Sequence, residues 1–172
     1  MPAPDELDLA AAARRLGDAL RAAGWRLATA ESSTGGLIGH AITMIPGSSS
    51  YYPGGVISYS NQAKEVELHV PHEMLLEHGS VSAEVAVAMA EGARDRFRVE
   101  VGMSVTGIAG PEGATEGKPV GTHWVAAAVR GHPSRAEHHV FLHDRDGNKA
   151  AAALAALELA IAEVLAATGR QP

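Results

Sequence analysis

Three loops rich in glycine and hydroxyl residues constrain this chain most, because each follows a run of apolar residues. They span residues 28–36, 47–64 and 104–111. Glycine permits positive φ and a close approach of the backbone to a ligand, while serine and threonine add hydroxyl groups. Single turns of this composition are common. Three of them, with Lys64, Lys118 and Arg145 near them in sequence, predict a site for a phosphate or an oxyanion.

Apolar periodicity predicts helices that alternate with short strands through most of the chain. The predicted helices cover residues 5–23, 35–44, 61–68, 71–79, 82–97 and 148–167. The predicted strands cover residues 25–30, 55–60, 101–106, 122–129 and 138–142. Two neighbouring strands precede the last helix, so we predict an α/β fold, a three-layer α/β/α sandwich with a mixed, mostly parallel central sheet. The three loops follow strand ends, where open sheets of this kind bind ligands.

Length and composition predict a single domain over residues 1–172. The chain has 14 lysine and arginine residues against 20 aspartate and glutamate residues and no basic block, so nucleic acid is not expected as a direct partner. The absence of cysteine excludes disulfides, thiolate chemistry and cysteine zinc sites. His138, His139 and His143 follow no metal-binding motif, so we expect no metal and no cofactor.

The hydropathy pattern contains no uninterrupted run of about 18 apolar residues, the length needed to span a bilayer. Residues 1–8 are acidic, whereas a signal peptide begins with basic residues and continues with apolar ones. We therefore expect a cytoplasmic protein with no membrane partner.

Several motifs, in this order, resemble the C-terminal domain family of the competence/damage-inducible protein CinA. They are E-S-S-T-G-G (31–36), P-G-S-S (46–49), Y-Y-x-G-G-V-I-S-Y-S-N-x-x-K (51–64), H-G-S-V-S (78–82), T-G-I-A-G-P (106–111), K-P-V-G-T (118–122) and D-R (144–145). The resemblance extends from about Leu16 to the last helix. It implies a three-layer α/β/α fold, no metal, and often a homodimer. It also implies an amidohydrolase that converts nicotinamide mononucleotide into nicotinate mononucleotide and ammonia.

The residue types fit this reaction, because a carboxamide is inert and its hydrolysis needs a nucleophile, a proton carrier and donors for the oxyanion. The predicted catalytic residues are Ser32, Ser49, Tyr59, Lys64 and Thr106. As the base, Lys64 needs partial desolvation to bring its pKa near the working pH. Tyr59 is a candidate for relaying a proton.

The identity of the nucleophile stays open between two serines, with water or another hydroxyl as a third possibility. Ser32 lies in a strand–turn–helix segment, similar to the turn that exposes a nucleophilic serine in other hydrolases. Ser49 lies in the same loop as Tyr59 and Lys64.

Further residues of the motifs are predicted to bind the substrate. They are Glu31, Thr34, Gly35, Gly36, Ser48, Gly107 and Arg145. We expect the 5′-phosphate of the nucleotide to bind Arg145 or another glycine/serine turn.

Each of these residues also has a purely structural interpretation. Ser32 and Thr34 are suited to capping the following helix, and Lys64 to the solvated face of a helix. The ring of Tyr59 is suited to the core, and Arg145 to the surface. On this interpretation the chain is a catalytically silent module that binds nucleotides or proteins.

The chain departs from the family pattern at four positions. Ser33 replaces a cysteine, Ala114 and His143 replace glycines, and Lys149 replaces an arginine. The last two departures, His143 and Lys149, bear on phosphate affinity, and lysine in particular lacks the bidentate geometry with which arginine binds phosphate.

Overall fold

The structure, a computed structural model, describes residues 2–170. The helices are α1 (Glu6–Ala23), α2 (Leu37–Thr43), α3 (Asn61–Leu68), α4 (His72–His78), α5 (Ala83–Phe97) and α6 (Arg145–Ala167). The strands are β1 (Leu27–Glu31), β2 (Gly54–Ile57), β3 (Val101–Gly107), β4 (Thr122–Val129) and β5 (Arg135–Val140). A short 3₁₀ helix, Ser48–Ser50, precedes β2.

The five strands form one mixed sheet in the order β2-β1-β3-β4-β5. β1 pairs in parallel with β2 and β3, whereas β4 pairs antiparallel with β3 and β5. The predicted α/β fold with a mixed sheet is confirmed. Parallel and antiparallel pairs are equal in number, because the loop after β3 and the β4–β5 hairpin each reverse the chain direction.

Helices cover both faces of the sheet and so form the three predicted layers. α1, α2 and α6 pack on one face against the alternate residues Val101, Met103 and Val105 of β3. α5 covers the opposite face, where it packs against β3 and β4. The period-two alternation of β3 therefore buries both of its faces in different cores.

Small residues allow α5 to lie close to the sheet. A side chain added at Gly102 of β3 would overlap the carbonyl group of Ala90 on α5. The neighbouring Ser104 hydroxyl donates a hydrogen bond to the carbonyl of Ala86, at 2.6 Å. This contact fixes α5 against β3, and with it the loop that precedes α5.

Helix α6 is long and apolar enough to cross a bilayer, by length and composition alone. Half of its most apolar stretch is buried inside the domain. Leu157, Ala160 and Val164 belong to the core that α6 shares with α1 and the sheet. Packing within the α/β domain therefore explains the apolar character of this helix.

Two boundaries differ from the sequence prediction in ways that matter for the site. α6 begins at Arg145 rather than at residue 148, because the Asp144 carboxylate accepts a hydrogen bond from the Gly147 amide and caps the helix. β2 ends at Ile57 rather than at residue 60, so Tyr59 lies outside the sheet. The Ser60 hydroxyl accepts a hydrogen bond from the Ala63 amide and caps α3.

Asn148 fastens the loop after β3 to the start of α6. Its side chain is fully buried. The amide nitrogen Nδ2 donates to the carbonyl of Ala109 at 3.0 Å, and Oδ1 accepts from the backbone N–H of His143 at 3.1 Å. Both ends of this side chain are therefore used to position loops around the C-terminal end of β3.

We expect Asn148→Ala to lower the free energy of unfolding by about 2 kcal/mol, because it leaves a buried carbonyl and a partly buried N–H group without partners. Lys149→Met changes the next residue, whose side chain makes no hydrogen bond among residues 2–170, and is the matched control. Urea unfolding of both variants measures the difference. Equal stabilities for the two variants would contradict the anchoring role of Asn148.

Candidate active site

Polar side chains from separate parts of the chain converge on one cavity of about 280 Å³ beside the carboxyl ends of β1 and β3. We call this cavity the inner lobe. It is lined by Ser32, Ser33, Tyr59, Lys64, Ser80, Val81, Thr106, Gly107, Ala109 and Arg145. The lining includes one of the two predicted nucleophiles and the predicted base.

Lys64 lies at the base of the inner lobe, held by α3. Its side chain is only 1% exposed. The amine Nζ donates hydrogen bonds to the hydroxyl of Ser32 at 2.9 Å and to the carbonyl of Ser58 at 2.8 Å. The interpretation of Lys64 as a solvated helix lysine is therefore wrong.

Burial lowers the pKa of Lys64 from its ordinary value of 10.5 to about 8. The cause is desolvation, which penalises the charged amine. Among residues 2–170 no carboxylate forms an ion pair with Lys64, so nothing offsets that penalty with an opposite charge. A neutral amine, able to accept a proton from Ser32, is thus accessible near physiological pH.

Glu31 organises the turn that carries Ser32. Its buried carboxylate accepts hydrogen bonds from the Thr34 hydroxyl at 2.7 Å and from the amides of Gly36, Ile38 and Gly39 at 2.8–3.1 Å. These contacts place a negative charge at the N-terminus of α2, where the helix dipole favours it.

This arrangement corrects two predictions. The side chains of Glu31 and Thr34 position the turn rather than contact the substrate, because the Glu31 carboxylate and the Thr34 hydroxyl are used within the turn. The helix-capping interpretation of Ser32 and Thr34 is also wrong, since α2 is capped at Gly36, which has φ +103° and no side-chain cap. Gly35 and Gly36 shape the turn and lie outside the lining of the inner lobe.

Tyr59 and Arg145 meet across the mouth of the inner lobe. The guanidinium Nη2 of Arg145 lies 3.3 Å from the hydroxyl of Tyr59, and Nη1 donates to the carbonyl of Gly110. Tyr59 is 67% exposed, so the interpretation of its ring as part of the core is wrong. Arg145 is oriented by these two contacts and is not a free surface charge.

Thr106 ties a further loop to the site. Its buried hydroxyl donates to the carbonyl of Ser80 at 2.7 Å. This contact brings Ser80 and Val81 into the lining of the inner lobe. Sequence reasoning gave these two residues no role, although the H-G-S-V-S motif that contains them was a signal.

Gly107 lies against the buried ring of His123 on β4, where a side chain would overlap the ring. Nδ1 of His123 donates to the carbonyl of Gly121 at 2.8 Å. Burial lowers the pKa of His123, so the neutral ring is the form that fits this position. The ring thereby supports the backbone at Gly107 from behind.

Ser48 and Ser49 lie near the amino-terminal ends of β1 and β2, whereas the inner lobe lies at the carboxyl ends of the strands. They belong to the 3₁₀ helix before β2, and the following Tyr51 accepts a hydrogen bond at its carbonyl from Leu27, the first residue of β1. Ser32 follows the last residue of β1. Within one chain, the prediction that Ser48 and Ser49 join Lys64 is therefore wrong.

Ser33 is a lining residue that sequence reasoning left without a role. Its side chain is buried, and its hydroxyl has no hydrogen-bond partner among residues 2–170. Within the same part of the chain, the backbone N–H groups of Ser33 and Thr34 also donate to no protein acceptor. Free donors beside the Ser32 hydroxyl are what an oxyanion requires.

A second cavity of about 390 Å³ adjoins the inner lobe, and we call it the outer lobe. The two share part of their lining, including Tyr59, Gly107 and Arg145. Lys118, Glu112 and Thr115 line the outer lobe alone. The described residues contain no cluster of three histidine or acidic side chains placed to hold a metal ion.

The amino-acid sequence matches a known protein family. A model of the CinA C-terminal domain matches residues 9–164. The CinA-like protein of Salinibacter ruber is 53% identical over 143 residues, which cover 83% of this chain and 34% of that protein. The CinA-like protein of Syntrophobacter fumaroxidans is 51% identical over 144 residues, covering 84% and 34%. The chain thus spans about a third of the length of these curated relatives.

Solved structures share the whole fold. The competence/damage-inducible protein CihA from Agrobacterium tumefaciens superposes with a TM-score of 0.88 at 37% identity, covering 94% of this chain and 98% of that one. A CinA superfamily protein from Klebsiella pneumoniae gives a TM-score of 0.88 at 32% identity, covering 92% and 98%.

The depressed pKa of Lys64 predicts a pH-dependent stability. Between about pH 8 and pH 10.5 the unfolded chain binds more protons at this lysine than the folded chain does. The contribution of Lys64 to the free energy of unfolding therefore becomes more favourable as pH rises through this window, on the order of 2–3 kcal/mol. Urea unfolding of wild type and Lys64→Met at pH 7.5 and 10.5 measures this contribution. It is the change, between the two pH values, in the difference between the free energies of unfolding of the two proteins. A difference between the two proteins that does not change with pH would contradict it.

Proposed function

The chain belongs to the CinA C-terminal domain family, and on that premise we propose that it deamidates nicotinamide mononucleotide to nicotinate mononucleotide and ammonia. The observation that carries this proposal is the hydrogen bond between the buried Lys64 amine and the Ser32 hydroxyl. A serine beside a desolvated lysine is a nucleophile with its own general base.

In the first half of the reaction, neutral Lys64 takes the proton of Ser32 while Oγ attacks the carboxamide carbon. The tetrahedral intermediate collapses when the Lys64 ammonium returns that proton to the nitrogen, which leaves as ammonia. An ester on Ser32 remains. Water then attacks this ester with Lys64 as base, and the proton returns to Ser32 as the carboxylate product leaves.

The turn after Ser32 supplies the donors for the oxyanion in this mechanism. The amides of Ser33 and Thr34 have no protein acceptor within residues 2–170, and they follow the nucleophile directly in sequence. One donor to an oxyanion is worth on the order of 10²- to 10³-fold in rate. Glu31 contributes indirectly, because its four hydrogen bonds fix the shape of this turn.

Tyr59 and Thr106 have different roles in the proposal. The Tyr59 hydroxyl accepts a hydrogen bond from Arg145, which leaves its proton available to the substrate in the inner lobe. The Thr106 hydroxyl already donates to Ser80, so Thr106 acts as a positioning residue that holds the loop at Ser80.

We expect Ser32→Ala and Lys64→Met each to lower kcat/KM for nicotinamide mononucleotide by about 10³-fold or more, because each removes one half of the pair. Ser49→Ala is the matched serine variant at the opposite ends of the strands and retains wild-type activity. Ammonia release and chromatography of the nucleotide product measure all three.

Two outcomes would count against these assignments. Loss of activity in Ser49→Ala with full activity in Ser32→Ala would show that Ser32 is not the nucleophile. A folded wild-type protein that releases no ammonia would contradict the amidohydrolase proposal and favour the silent binding module.

The pKa of Lys64 also predicts the pH profile of the reaction. The base must be neutral, so kcat/KM rises with pH up to about 8 and then becomes level. Steady-state rates between pH 6.5 and 9.5 give the profile. Rates that fall over this range would require a protonated Lys64 and would contradict its role as base.

A further inference from the structure

We propose that the outer lobe is a phosphomonoester subsite and that Lys118 is the residue that makes the protein prefer a mononucleotide over the corresponding nucleoside. This inference rests on the proposed function for the identity of the reacting group. It concerns a separate part of the cleft, and it assigns Lys118 a role of its own.

A short hairpin presents Lys118 to the outer lobe. The backbone N–H groups of Thr115 and Lys118 each donate to the other's carbonyl at 3.0 Å. The amine Nζ of Lys118 donates to the carbonyl of His78 at 3.1 Å. An ammonium carries three N–H donors, so two are left for a ligand in the lobe.

Arg145 supplies the second cation of the outer lobe. It lines both lobes and is held by Gly110 and Tyr59, so it lies where a ligand passes from one lobe into the other. Glu112 also lines the outer lobe. Two cationic side chains against one carboxylate favour an anion, and a phosphate dianion accepts hydrogen bonds from both an ammonium and a guanidinium.

The arrangement of the two lobes matches the arrangement of charge in a mononucleotide. With the reacting carboxamide beside Ser32 in the inner lobe, the far end of the ligand extends past Arg145 toward Lys118. A nucleoside presents the same carboxamide to the inner lobe but has no phosphate to accept the remaining N–H groups of Lys118. The preference between the two ligands therefore depends on the outer lobe, while the chemistry depends on the inner one.

Lys149 is excluded from this role by its position. It lines a groove between α1 and α6, together with Leu9 and Leu37, and does not line either lobe. Its replacement of the arginine typical of the family therefore leaves the phosphate subsite unchanged. The chain contains only three lysines, so Lys149→Met provides a control with the same loss of charge outside the cleft.

The test compares nicotinamide mononucleotide with nicotinamide riboside in wild type, Lys118→Met, Lys118→Arg and Lys149→Met. We expect Lys118→Met to lower kcat/KM for the mononucleotide by 10-fold or more, mainly through KM, and to leave the riboside rate unchanged. Lys118→Arg keeps the charge and retains most of the preference, and Lys149→Met behaves as wild type. Equal losses on both substrates in Lys118→Met would overturn the proposal.

Calorimetric binding of ribose 5-phosphate to the same proteins provides a readout that needs no catalysis. We expect Lys118→Met to weaken this binding by 10-fold or more relative to Lys149→Met. Unchanged binding would overturn the subsite, whatever the activity. If binding depends on Lys118 and no protein releases ammonia, the phosphate subsite stands and the proposed amidohydrolase function fails.

Discussion

A single buried lysine is the constraint on which the rest of this site depends. Lys64 is removed from water without a carboxylate partner, and the only hydrogen bonds of its amine within residues 2–170 go to a serine hydroxyl and a backbone carbonyl. A charged amine in such a place is disfavoured. The fold therefore maintains an amine that loses its proton far more easily than a solvated lysine does, directly beside Ser32.

The groups that hold this arrangement in place are different from those that face the cavity. Glu31 shapes the turn after β1, Thr106 fastens the loop before α5, and Asn148 fastens the loop after β3. Each does so by hydrogen bonds between a buried side chain and backbone groups. Buried and fully used polar groups of this kind favour one loop geometry over others, which leaves hydroxyls and amides free to face a ligand.

The sequence predicted the fold and named Lys64 as the base, but it left the nucleophile open between Ser32 and Ser49 because both lie in polar segments near Lys64. The predicted strand within residues 47–64 is β2 (Gly54–Ile57), and it lies between Ser49 and Lys64 in the chain. Ser49 and Lys64 are therefore carried to opposite ends of the strands. The burial of Lys64 could not be predicted from the sequence either. A helix lysine four residues after a capping serine has the same local sequence pattern whether it is solvated or buried. The positioning role of Glu31 was missed because its backbone partners are amides five to eight residues away.

The most direct test of this account is the titration of Lys64 itself. With three lysines in the chain, ¹³C NMR of the lysine Cε groups in wild type and Lys64→Met assigns its signal by the one that disappears. The account predicts that this signal titrates with a midpoint near pH 8. A signal for Lys64 that titrates near 10.5, as for a lysine in water, would contradict the central role of its burial.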